Sequence, residues 1–83
     1  MDIRLTSQLW ATSILPEGIV ERWRVPDGAY VKADQVIADV RIEDALHALM
    51  APTGGHLVAF ASENDIIEPG SVIGCIETDW HEG

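Results

Sequence analysis

Two stretches decide the fold. They are Gly28-Ala29-Tyr30-Val31-Lys32-Ala33-Asp34-Gln35-Val36-Ile37-Ala38-Asp39-Val40 and Asn64-Asp65-Ile66-Ile67-Glu68-Pro69-Gly70-Ser71-Val72-Ile73-Gly74-Cys75-Ile76. At an offset of 36, Val31 matches Ile67, Val36 matches Val72, Ile37 matches Ile73 and Val40 matches Ile76. Upstream the offset becomes 37, where Gly18 matches Gly55, Val20 matches Leu57 and Trp23 matches Phe60. That change puts one inserted residue between Trp23 and Gly28. Each half runs the same way: an apolar stretch, a turn residue that tolerates positive φ (Gly28, Asn64), a short β-rich piece (Tyr30-Val31, Ile66-Ile67), a second turn, and a strand. In the first of these strands Val36, Ala38, Val40 and Ile42 share one face. Ile37, Asp39, Arg41 and Glu43 point the other way, the period of two expected of a half-buried strand. Trp23 and Phe60, as mates, predict a shared core role.

No segment carries a convincing helical period, and turn residues recur every eight to ten positions. Short strands at that spacing predict an all-β sandwich or flattened barrel. The repeat predicts two roughly four-stranded sheets related by a pseudo-twofold axis. Eighty-three residues make a single domain, 1–83, with its core at about 7–77 and a tail at 78–83 that includes Trp80. So short a chain buries only about 60–65% of its unfolded surface, so its core is thin. Apolar residues at 47% nonetheless suffice for a core and argue against disorder.

Charge narrows the partners. Fourteen acids against five bases give a net charge of −9. Nucleic acid is a poor partner, because phosphate contacts need Lys and Arg. An anionic membrane repels such a surface, and no run approaches the length of a membrane span. The lone Cys75 permits no intrachain disulfide, and the start Met1-Asp2-Ile3-Arg4 does not read as a signal peptide. The expected compartment is the cytoplasm. Cys75 lies in an apolar strand-like run without a basic neighbour in sequence, which predicts a core or sheet-face thiol rather than a reactive one.

Side chains able to do chemistry are few. Glu43 and Asp44 are adjacent, and adjacent residues of a strand-to-turn segment tend to diverge rather than converge on one substrate. His47, His56 and His81 lack ligand spacing, so no metal site is expected, and His47 reads as a partly buried structural histidine. No phosphate loop, nucleophile elbow or Cys/His dyad is present. The chain is not expected to be an enzyme.

Five motifs together resemble the lipoyl/biotinyl-like carrier domains, a flattened barrel of two four-stranded sheets (a barrel-sandwich hybrid). Gly18-Ile19-Val20-Glu21-Arg22-Trp23 is similar to the family's Gly-Thr-Ile-x-x-Trp strand, and Gly28-Ala29-Tyr30-Val31 to its Gly-Asp-x-Val turn. Val40-Arg41-Ile42-Glu43-Asp44-Ala45 falls on its Val-Glu-Thr-Asp-Lys-Ala hairpin, Ala51-Pro52-Thr53-Gly54-Gly55 on Ala-Pro-x-x-Gly, and Ile67-Glu68-Pro69-Gly70 on Val-x-x-Gly. The resemblance covers about Ser7 to Glu77. It implies that the hairpin tip should present a lysine bearing lipoyl or biotin, eight residues before Pro52. Asp44 stands there, flanked by Glu43 and Ala45. The family's acid before the lysine survives as Glu43. The resemblance also implies that the loop Leu9–Pro16, about two residues longer than usual, lies beside the tip.

The missing lysine divides the functional readings. Lipoylation and biotinylation form an amide on a side-chain amine, which a carboxylate cannot supply. The one lysine, Lys32, lies in another hairpin. The first reading is a non-catalytic module without cofactor, used for interaction or assembly. Its partner would be a protein, such as a multienzyme component, met by Trp10, Glu43 and Asp44. The second is a swinging-arm lipoyl or biotin carrier of a 2-oxoacid dehydrogenase or biotin-dependent carboxylase system, diverged or with its lysine replaced. A lipoyl-like piece of an efflux adaptor fits less well, since its halves would be split by a helical hairpin near this tip.

Overall fold

The computed structural model describes residues 1–78, so the expectations placed on 79–83, including Trp80 and His81, lie outside the described residues. Eight strands and one 3-10 turn follow each other in the order β1 (Asp2–Arg4), the turn Ser7–Trp10, β2 (Gly18–Trp23), β3 (Tyr30–Val31), β4 (Val36–Ile42), β5 (Ala45–Met50), β6 (Gly55–Ala59), β7 (Ile66–Ile67) and β8 (Val72–Glu77). They form two four-stranded antiparallel sheets, β1-β8-β6-β3 and β5-β4-β2-β7. This is the expected all-β flattened sandwich.

The repeat governs the topology. Shifting by one half turns β2, β4 and β3 into β6, β8 and β7, and β5 into β1, so each sheet maps onto the other in order. Ladder registers follow. Gly18 pairs with Ile67 as Gly55 pairs with Val31, and Ala38 pairs with Leu49 as Gly74 pairs with Ile3. The matched apolar residues fill one interior: Val31 and Ile67, Ile37 and Ile73, Val40 and Ile76, Val20 and Leu57 are all buried. Each such side chain contributes about 1.5–3 kcal/mol by leaving water. A surface ion pair such as Arg41 Nε to Glu21 Oε1 at 2.7 Å is screened by solvent and contributes little. Burial of the matched residues therefore dominates the stability.

Three expectations are corrected. Ile37 is buried, not outward, because the β4–β5 register shifts between Val36 and Ala38. The bulge gives Ile37 an inward direction, and its mate Ile73 sits inside at the matching irregularity of the β1–β8 ladder. The one-residue insertion is not after Trp23. It is in β2, where the register shifts between Val20 and Arg22 and leaves Glu21 as the extra residue. Beyond the bulge Trp23 pairs with Ala38, while Ala59 pairs with Gly74, so Trp23 has Ala59 as its positional mate. Phe60 then falls outside the ladder and is 59% exposed, against the shared core role expected of it. Trp23 packs on the core and donates its indole N–H to Ala61 O at 2.9 Å. Its ring tip lies 3.4 Å from where a side chain on Gly74 would begin, so the indole uses the room that glycine leaves.

Asp39 lies on the outer side of β4 as expected, yet it is only 1% exposed. Arg24 Nε and Nη2 donate to its two oxygens at 2.9 and 3.2 Å, and Arg22 Nε donates at 3.1 Å. The Arg24 guanidinium, with Arg22 in second place, holds the Asp39 carboxyl below its ordinary range against the opposing effect of burial.

Candidate functional site

The candidate site is the β4–β5 tip. Ile42 pairs with Ala45, so Glu43 and Asp44 form a two-residue hairpin turn. Glu43 has φ 55°, the positive φ that primed hairpin turns require at their first central residue. Glycine, asparagine or aspartate usually takes such a position, so a glutamate there needs support from outside the turn.

The support comes from the loop after the 3-10 turn. The Glu43 carboxylate accepts hydrogen bonds from the Ser13 hydroxyl, from the Ile14 N–H at 2.7 Å and from the Leu15 N–H at 3.2 Å. Tip and loop thereby form one unit, in line with the neighbourhood that the resemblance implied. The Ser13 hydroxyl first, then the Leu15 and Ile14 amides, hold the Glu43 carboxyl below its ordinary range. Asp44 and Ala45 are exposed, and Asp44 has no hydrogen bond or ion pair among the described residues. The two adjacent acids therefore do not act on a common point. One is engaged by the loop and the other meets solvent.

An open groove of about 320 Å³ runs between tip and loop, lined by Leu9, Thr12, Ser13, Ile42, Asp44 and His47 among others. His47 is half-buried in β5 opposite Val40. Among the described residues no three His, Cys, Asp or Glu side chains cluster closely enough to hold a metal ion.

Trp10 corrects the expected partner surface. It is 7% exposed, belongs to the core, and its indole nitrogen lacks a hydrogen-bond partner among the described residues. The 3-10 turn carries Trp10 into the core cluster that also holds Leu5, while Ile14 and Leu15 are exposed large apolar residues of that loop. Leu5 and Leu9, close to Trp10 in sequence, were the available hint that this segment packs inward. Lys32 is exposed in the β3–β4 turn, where its backbone N–H donates to Gln35 Oε1 at 3.0 Å.

Beside the tip, Leu46, Arg41, Ile19 and Ile66 stand in register across the outer face of β5, β4, β2 and β7. Leu46 and Ile66 are exposed. Sequence reading missed this row, because its four members come from four strands.

No protein-family model matches the chain, and no curated protein matches it in sequence. Among solved structures it is similar to the solution structure of the lipoyl domain of the 2-oxoglutarate dehydrogenase complex from Azotobacter vinelandii. The TM-score is 0.75 with 22% sequence identity, and the match covers 93% of this chain and 95% of that one. The shared property is the fold. No helix among the described residues is long and apolar enough to cross a membrane.

Proposed function

We propose that this chain is a carrier-like domain without an attachment side chain, acting as an interaction or assembly module and not as a catalyst. The observation that carries this reading is the exposed two-residue tip with Asp44 where the family motif has its lysine. A carboxylate offers no amine to a lipoyl- or biotinyl-transferring enzyme, so no cofactor is bound at this position. Glu43 braces the loop and Asp44 faces outward with Ile14 and Leu15, a mixed acidic and apolar end suited to a protein partner. A component of a multienzyme complex is the partner class that the similar lipoyl domain suggests. One unpaired cysteine and no membrane-length helix among the described residues suit the cytoplasm.

The runner-up is a swinging-arm lipoyl or biotin carrier whose lysine has been replaced, favoured by the near-complete overlap with a lipoyl domain. The intact mass of the protein from its own source tests the first reading. The mass of the plain chain is expected. An added lipoyl or biotinyl group, which would have to sit on Lys32, overturns it. Asp44→Lys incubated with a lipoate or biotin ligase tests the second. A gain of the corresponding mass supports carrier ancestry, and no gain with either ligase removes that reading.

A further inference from the structure

The repeat allows a controlled comparison at the end of β2. Arg22 pairs with Asp39 on β4, as Val58 pairs with Cys75 on β8. The Arg24 N–H donates to Ile37 O at 2.7 Å, as the Phe60 N–H donates to Ile73 O at 2.9 Å. The backbone is the same at both places. The side chains are not, since Arg22, Arg24 and Asp39 answer Val58, Phe60 and Cys75. One half of the fold closes here without any charged group, so the fold itself does not require one. A carboxylate taken out of water carries a desolvation cost that its cationic partners mainly offset, and apolar side chains often serve stability as well. Stability alone therefore does not account for two of the chain's five bases meeting at one buried acid.

The arrangement does supply donors held in place. Asp39 accepts from Arg22 Nε at 3.1 Å and from Arg24 Nε and Nη2 at 2.9 and 3.2 Å. Both Nη groups of Arg22 and Nη1 of Arg24 have no acceptor among the described residues. The two side chains remain 57% and 43% exposed. Glu21, adjacent to Arg22 in sequence, is taken by Arg41 Nε at 2.7 Å. Ala48, across from Asp39 on β5, is small and exposed, and an open hollow of about 290 Å³ is lined by Arg22, Trp23 and Arg24.

We propose that Arg22 and Arg24 form a carboxylate-binding site, with Asp39 as the residue that positions them. The Nη1 and Nη2 groups of Arg22 make a fork that fits the two oxygens of a carboxylate. Asp39 ties down one side of each guanidinium, which reduces the side-chain freedom that a ligand would have to remove. Two guanidiniums against one carboxylate leave a single positive charge. A singly charged carboxylate matches it, whereas a phosphate dianion meets stronger repulsion from a chain of net charge −9. The ligand group belongs to a small free acid or to a glutamate or aspartate of a partner protein, one chemistry from two sources. The inference is independent of the attachment position, because Arg24 lies beside the start of β4 and the tip follows its end.

NMR titration of the whole chain at low ionic strength tests this, with acetate, a capped alanine peptide containing one glutamate, inorganic phosphate and sodium chloride as probes. Saturable shifts are expected at the amides of residues 22–24 and at the Arg22 and Arg24 Nε resonances, at millimolar-range carboxylate, on the order of what one charged contact supports. Binding of both acetate and the peptide supports the site and shows that a free acid suffices. Binding of the peptide alone supports it with a partner protein as the source. Arg22→Gln removes the fork and should weaken binding about tenfold while the spectrum of the folded protein is kept. Arg22→Lys keeps the charge without the fork and should weaken it several-fold. Arg4→Gln on the other sheet, which changes the net charge as Arg22→Gln does, should leave binding unchanged. Absence of saturable shifts at these residues overturns the proposal. So do equal shifts with chloride at matched ionic strength, tighter binding of phosphate than of either carboxylate, or indifference to both Arg22 variants.

Discussion

At one end of the molecule Ile42 and Ala45 are joined by Glu43-Asp44. At the mate end Met1 extends the β1–β8 ladder by one pair: the Met1 amino group donates to Ile76 O at 2.8 Å, and the Ile76 N–H donates to Met1 O at 2.7 Å. The interior is nearly identical at both ends, Val40 answering Ile76 and Ile37 answering Ile73. The outer faces differ. Leu46, Arg41, Ile19 and Ile66 cross one sheet, while Glu77, His56 and Tyr30 cross the other, the last two rings meeting edge to face at 5.5 Å. Two halves that share one core must stay alike where they meet each other. They can diverge where they meet solvent, and the outer rows of the two sheets are where the mates differ.

The comparison breaks most sharply at the matched glycines. A Cβ on Gly55, at φ 150°, would collide with the Glu77 carbonyl oxygen and lie 2.8 Å from Ile76 Cγ2. On Gly18 it would lie 2.8 Å from the Arg41 carbonyl oxygen and 2.9 Å from Ile42 Cγ1, without the unusual φ. Gly55→Ala should cost about 4 kcal/mol, summing strain and overpacking, and Gly18→Ala about 2 kcal/mol, read by urea unfolding. Equal losses would show that backbone strain does not separate the halves.

A smaller difference separates Trp23 from Phe60. Trp23→Ala should cost about 3 kcal/mol through lost packing and the lost bond to Ala61, whereas Phe60→Ala should stay within about 0.5 kcal/mol. Comparable losses would restore Phe60 to the core and argue against the bulge at Glu21.

Asp39 and its mate Cys75 come next. Asp39→Asn should cost about 1–2 kcal/mol, because Arg22 and Arg24 are half-exposed and can rehydrate, and Cys75→Ser less than about 1 kcal/mol. The folded-state pKa of Asp39 is depressed, so its contribution is complete above the unfolded carboxyl value of about 3.9 and disappears as pH falls through the lower folded value. Acid unfolding of Asp39→Asn should lack that component. Identical acid profiles would remove the assigned role.

The smallest effect on folding belongs to Glu43→Gln. Amide exchange at Ile14 and Leu15 should quicken while the global unfolding midpoint stays nearly unchanged. In the unaltered protein the same loosening should follow acidification below the ordinary glutamate range, since the loop favours the charged carboxylate. Unchanged exchange at those two amides would mean that the loop holds itself.

Most of the interior was legible because burial demands apolar residues at a fixed period, and Val31, Val40, Ile67 and Ile76 meet that demand. The bulge was not. Glu21 reads as an ordinary outward strand residue, so counting puts the insertion after Trp23 and pairs that tryptophan with Phe60. Asp39 was put on the correct side, but its burial depends on two arginines of another segment. Trp10 lies in a 3-10 turn too short to show a period, so its inward direction left little mark in sequence. At the tip, the exposed turn position of Asp44 was legible, while the role of Glu43 depended on a loop about thirty residues away.

The tip assigns holding and presenting to different residues. Glu43 is tied into the fold, whereas the Asp44 side chain has no partner among the described residues. Changes of side chain at residue 44 therefore leave intact the contacts that hold the tip to the loop. What this tip presents can thus be changed separately from what holds it in place.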